Sequence, residues 1–165
     1  MMRSLSVSES DTSGNSTARR IPRSLSPILA ELELEATRLV SQPDLARLVE
    51  RATIGTAPKV VADRLRKLGW LLPTGTAGVW EFAPAAHAGP IGHGDPFLEL
   101  RAALVARPSL DAAVCLTSAL AANHLVERAT DRLEIAVGDS ASIPRGLRRA
   151  ARVIVFDPAT LRPAP

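Results

Sequence analysis

The stretch Thr56-Ala57-Pro58-Lys59-Val60-Val61-Ala62-Asp63-Arg64-Leu65-Arg66-Lys67-Leu68-Gly69 decides how this chain is read. Val61, Leu65 and Leu68 recur at i, i+4 and i+7, which is one face of an α-helix. Lys59, Asp63, Arg66 and Lys67 fall roughly opposite, with Arg64 on the flank. Thr56 is placed to cap this helix, Pro58 fits its first turn, and Gly69 is the residue that ends it. The spacing predicts a helix that hides an aliphatic stripe and presents cations to solvent.

Upstream, Ser41 followed by Pro43 and Asp44 is a helix start. Leu45, Leu48, Val49 and Ala52 supply the buried face of that helix. Thr53-Ile54-Gly55 is the turn, with Gly55 expected at positive φ. Leu39-Val40 reads as a short strand. A first helix is expected from an N-cap at Ser26, with Ile28, Leu29, Leu32, Ala36 and Leu39 as its apolar stripe. Residues 1–25 are rich in Ser, Thr and Arg and hold too little apolar surface to offset ordering, so they are expected to be a disordered tail with solvated arginines at 19, 20 and 23.

Downstream, Trp70-Leu71-Leu72-Pro73 and Val79-Trp80-Glu81-Phe82-Ala83 flank Thr74-Gly75-Thr76-Ala77-Gly78, a β-hairpin signal. Trp80 and Phe82 share one strand face. With Trp70 they read as an aromatic plug against the helices, a base-stacking platform being the sharper alternative. Residues 85–96, rich in Gly, Pro and Ala, read as a linker. Beyond it come a helix over 97–107, a strand at 113–116, a helix over 118–126 and strands at 132–137 and 152–156.

The fold class expected is therefore α+β: a winged helix-turn-helix over 26–84, a linker over 85–96, and a small, incomplete α/β domain over 97–165. In such a domain the third helix fits the DNA major groove, while the preceding helix terminus and the wing hold phosphates. The DNA-binding residues expected are Lys59, Asp63, Arg64, Arg66 and Lys67 on the third helix, Thr56 at its start, Ser41 and Gln42 at the helix before it, and Thr74 and Thr76 on the wing.

Charge agrees with this placement. The 165 residues carry a net charge of only +3. Between 38 and 68, however, Arg38, Arg47, Arg51, Lys59, Arg64, Arg66 and Lys67 face only Asp44, Glu50 and Asp63, an excess of seven over three that suits a polyanion. Catalytic classes find no frame. His87, His93 and Asp95 lie close together, but with no second cluster they read as incidental linker residues rather than metal ligands. Cys115, the chain's single cysteine, sits in an apolar stretch and reads as an inert buried thiol. His124 reads as a satisfied core or edge histidine. The Gly-rich run at 89–94 lacks dinucleotide-fingerprint spacing, and the hairpin turn lacks the P-loop lysine. No catalysis, metal or cofactor is expected. No apolar run approaches the roughly 18 residues a membrane helix needs, so a cytoplasmic protein without membrane contact is expected.

The segments at 39–46 (LVSQPDLA), 61–71 (VADRLRKLGWL) and 78–84 (GVWEFAP) resemble AbiEi-type antitoxins, in particular their actinobacterial branch. The linker, with His87-Ala88-Gly89 and Gly94-Asp95-Pro96, and the segments at 117–121 and 132–137 extend the likeness to about 26–156. The resemblance implies a winged-helix transcriptional repressor that binds inverted repeats in the double-stranded operator of its own type IV toxin–antitoxin operon. It further implies an abortive-infection role and a nucleotidyltransferase-like toxin as functional partner. Members of the family run on past residue 165, so a shortened second domain is expected here. The alternative is a protein-interaction module that uses the same fold for partner binding or dimerisation, without DNA.

Overall fold

A computed structural model describes residues 21–85, 94–127, 131–139 and 143–156. It is an α+β protein with two small sheets.

The N-terminal unit holds a 3-10 turn (Arg23–Leu25), α1 (Ser26–Leu34), β1 (Leu39–Ser41), α2 (Gln42–Arg51), α3 (Pro58–Lys67), β2 (Leu71–Pro73) and β3 (Val79–Phe82). Its sheet is antiparallel in the order β1-β3-β2, with Val40 opposite Trp80 and Leu71 opposite Phe82. Ile28, Leu29 and Leu32 of α1, Leu45, Leu48 and Val49 of α2, and Val61, Ala62 and Leu65 of α3 bury together. Trp70 and Phe82 close this core from the sheet side, their rings stacked at 6.4 Å, and Trp80 packs against it. The aromatic plug is thus interior, and Trp70 and Phe82 are not available to stack bases.

Four local expectations are corrected. Leu25 is 1% exposed, so the chain joins the core before residue 26. Residues 1–20, including Arg19 and Arg20, lie outside the described residues. Ser26 is the first helical residue rather than its cap, because Leu25 ends the 3-10 turn and leads directly into α1. Ala36 is exposed at φ 48, since α1 stops at Leu34. The positive φ between α2 and α3 belongs to Thr53 (φ 52) rather than Gly55.

The second unit comprises α4 (Leu98–Ala106), β4 (Ala112–Val114), α5 (Leu116–Ala122), β5 (Leu133–Val137), α6 (Arg145–Ala150) and β6 (Ala151–Val155). β4 runs antiparallel to β5, and β5 runs parallel to β6. Parallel neighbours need a crossover connection. Here it contains α6, a helix too short for the sequence pattern to announce. Leu100, Ala103, Leu110, Ile135, Val137, Ile143, Leu147 and Ala151 form this unit's core. Glu134 and Ser118 satisfy each other below the surface: the Glu134 amide donates to Ser118 Oγ at 2.9 Å, and the Ser118 amide donates to Glu134 Oε2 at 3.3 Å.

The two units meet through α4, which packs against β1 and β3. Val79, Glu81 and Ala83, on the strand face turned away from Trp80 and Phe82, are buried as well. A charged cluster ties the contact. Arg38 Nε lies 3.7 Å from Glu81 and its Nη1 lies 3.2 Å from Asp95, while Arg101 reaches the same Asp95 oxygen at 3.3 Å. Among the described residues no helix is long and apolar enough to cross a membrane.

Candidate nucleic-acid interface

The start of α2 is built by a reciprocal cap. The Asp44 amide donates to Ser41 Oγ at 3.3 Å, and the Ser41 amide donates to Asp44 Oδ2 at 3.1 Å. The Ser41 hydroxyl also donates to Asp44, and Arg47 pairs with its other carboxylate oxygen. Partial burial pushes the Asp44 carboxyl up. The hydrogen bonds from Ser41, together with Arg47, outweigh that and hold it below its ordinary value. Ser41 is only 8% exposed and its hydroxyl is committed to the cap. Its expected contact with phosphate therefore has no free donor behind it. Gln42 is exposed beside the hairpin turn, and its backbone N–H donates to Gly78 O at 2.8 Å.

Helix α3 is capped by Ala57 without a side-chain hydrogen bond, which corrects the role expected of Thr56. Pro58 at the first position has no N–H to satisfy, so less capping is needed. Thr56 is half-buried ahead of the helix. At the other end Leu68 is the C-cap and Gly69 sits at φ 75; the Gly69 amide donates to Arg66 O and the Trp70 amide to Leu65 O. This pair of bonds is the Schellman arrangement, and it aims the chain from α3 into β2.

Val61 and Leu65 of α3 are 0% exposed, whereas Lys59, Val60, Asp63, Arg64, Arg66 and Lys67 are all exposed. Exposed Val60 is one surface feature the aliphatic pattern did not anticipate. The cations of the basic segment then separate by partner. Arg38 is engaged by Glu81 and Asp95, Arg47 by Asp44, and Arg51 by Glu31 and Glu35. Arg66 lies 3.4 Å from Asp63 one turn back. Lys59, Arg64 and Lys67 have no ion-pair partner among the described residues. The uncommitted charge of the N-terminal basic segment is thus concentrated on one helix. Lys59 and Lys67 stand eight residues apart, about 12 Å along the axis, with Asp63 and Arg66 between them.

The hairpin differs from expectation. Thr76 is 4% exposed, and its hydroxyl is buried without a hydrogen-bond partner. The Thr74 hydroxyl donates within the turn, to Val79 O at 2.8 Å. Neither threonine offers a free hydroxyl to a ligand. The turn bends back on itself, and its outer side is taken by the second unit: the Gly75 amide donates to both Glu99 carboxylate oxygens at 2.9 Å, and Gly75 backbone lies against Gly146. Glu99 was invisible as a partner of residue 75 because the two are far apart in sequence and no local pattern links them.

The other candidate groups sit elsewhere. Asp95 faces Arg38 and Arg101, and His87 and His93 lie outside the described residues. Among the described residues no group of three or more His, Cys, Asp and Glu side chains gathers as metal ligands would. Cys115 is half-buried; burial first and the Glu134 charge second push its thiol up, which disfavours thiolate. His124 is exposed at φ 58 past the end of α5, which corrects its expected place at a core or edge. It ends the helix in the position usually filled by glycine.

No protein-family model matches the chain, and no curated protein does. Among solved structures it is similar to the RV2827C protein from Mycobacterium tuberculosis, with 27% identity and a TM-score of 0.75 over 84% of this chain. The chain spans 46% of that protein's length.

Proposed function

We propose that this chain is a sequence-specific DNA-binding transcriptional regulator whose N-terminal unit is a winged helix-turn-helix. The observation that carries the reading is the partition of α3. Val61, Ala62 and Leu65 are buried and Leu68 partly so, while Lys59, Arg64 and Lys67 project without ion-pair partners among the described residues. A helix of that kind fits the major groove, where its side chains reach base edges. The order α1, β1, α2, α3, β2, β3, with α2 and α3 separated by a short turn, supports the same reading. So does the resemblance of 39–46, 61–71 and 78–84 to AbiEi-type antitoxins. On that resemblance the target is an inverted-repeat operator of the chain's own operon, the effect is repression, and the functional partner is a nucleotidyltransferase-like toxin. The reading places the protein in the cytoplasm and gives it no catalytic role.

The DNA-facing set is Lys59, Asp63, Arg64, Arg66 and Lys67, with Gln42 at the start of α2. Gel shifts with the DNA upstream of the gene, run at two salt concentrations, test it. A specific complex that weakens steeply with salt is expected, because each neutralised phosphate releases counterion. A second reading, a protein-interaction module, is favoured by Leu116, Leu120 and Leu125, which are 57%, 43% and 70% exposed on and just beyond α5. That reading predicts no specific complex and no salt slope.

A further inference from the structure

In a winged-helix protein on DNA, the turn of the hairpin is free to approach a phosphate. Here its outward-facing amide is already occupied by an anion from the chain itself. Glu99 projects from the first turn of α4 and places both carboxylate oxygens 2.9 Å from the Gly75 nitrogen. A phosphate takes a backbone amide in the same way, through an anionic oxygen. The carboxylate lies in a groove of about 400 Å³ between the turn and α6, rimmed by Arg145 and Arg149. Neither arginine forms an ion pair with Glu99 among the described residues. Within the turn, Thr76 Oγ1 is buried without a hydrogen-bond partner. A Cβ on Gly146 would strike the Gly75 backbone, so only glycine at position 146 permits the approach.

We infer that Glu99 is an internal competitor for the hairpin turn: it holds the Gly75 amide in the free protein and must release it before that amide can take a phosphate of duplex DNA. This rests on the DNA-binding reading above. Glu99→Gln keeps the size of the side chain and one acceptor oxygen but removes the charge, so the bond to the Gly75 amide is loosened to that of a neutral acceptor. Asp111→Asn removes a charge from an exposed acid of the same unit that does not touch the turn. The two variants separate release of the turn from a general loss of negative charge.

The experiment measures binding of a fluorescent duplex from the upstream region by anisotropy across a salt series, with the full chain and both variants. Glu99→Gln should bind about three- to tenfold more tightly than wild type and steepen the salt dependence by about one phosphate. Asp111→Asn should change neither by as much. Equal behaviour of the two variants, or weaker binding by Glu99→Gln, overturns the inference while leaving the DNA reading standing. Absence of any wild-type complex overturns both. Hydrogen exchange at the Gly75 amide supplies a readout without DNA. It should be slow in the wild type and faster in Glu99→Gln, and rapid exchange in the wild type also overturns the clasp.

Discussion

Truncating Arg66 and Lys59 separately tests the α3 interface at its base. Both side chains are exposed, and the buried stripe of Val61, Ala62 and Leu65 lies on the other side of the helix, so neither change disturbs the core. Arg66 starts from a position 3.4 Å from Asp63, with the two side chains 47% and 51% exposed. A surface pair of that kind is worth only about 0.3–0.5 kcal/mol, so it yields readily to a base or phosphate. A bidentate arginine contact with guanine contributes about 1–3 kcal/mol of discrimination. Arg66→Ala should therefore weaken the specific complex by about 5- to 150-fold at 25 °C if that contact is made. Lys59→Ala removes a point charge, so it should lower the salt slope by about one and weaken specific and non-specific duplexes alike. Fluorescence anisotropy at two salt concentrations, with unchanged far-ultraviolet circular dichroism as the folding control, separates the two outcomes. Wild-type affinity and slope in both variants would refute the placement of α3 in the groove.

Three further outcomes follow from the N-terminal unit. Ser41→Ala removes the cap of α2 and should cost about 1 kcal/mol in chemical or thermal unfolding; no change in the midpoint would show that the reciprocal bonds with Asp44 carry no stability. Asp44 has a carboxyl held below its ordinary value of 3.8 in the folded chain, so it contributes stability above that value that is lost as pH falls through the lowered one. The stability gap between wild type and Asp44→Asn should accordingly shrink in acid, and a gap that widens on acidification contradicts the assignment. Replacing Leu65, 0% exposed in the last turn of α3, by alanine should cost about 2–5 kcal/mol, read by urea unfolding. An unperturbed unfolding curve would mean that α3 does not pack as described.

Much of the N-terminal unit was legible from residue order alone, because its determinants are local. The i, i+4 spacing of Val61 and Leu65 fixes which side of α3 is buried, and Gly69 fixes where the helix ends. Ser41 and Asp44, three residues apart, fix the start of α2. Local signals also misled where two neighbours competed for one role. Thr56 gave way to Ala57 because Pro58 lowers the need for a cap, and Thr53 rather than Gly55 took the left-handed turn. Apart from the pairs three residues apart, Arg47 with Asp44 and Arg66 with Asp63, tertiary structure decided which cations lack an ion-pair partner among the described residues. Arg38 and Arg51 look equivalent to Lys59 and Lys67 in a string of residues, yet carboxylates from α1, β3 and the segment before α4 engage them, and only folding brings those groups within reach. It alone decided the hairpin's surroundings too. Thr76 faces inward and the Gly75 amide meets Glu99, since a contact between residues 24 apart depends on how α4 packs on the first sheet, a long-range arrangement that no periodicity encodes.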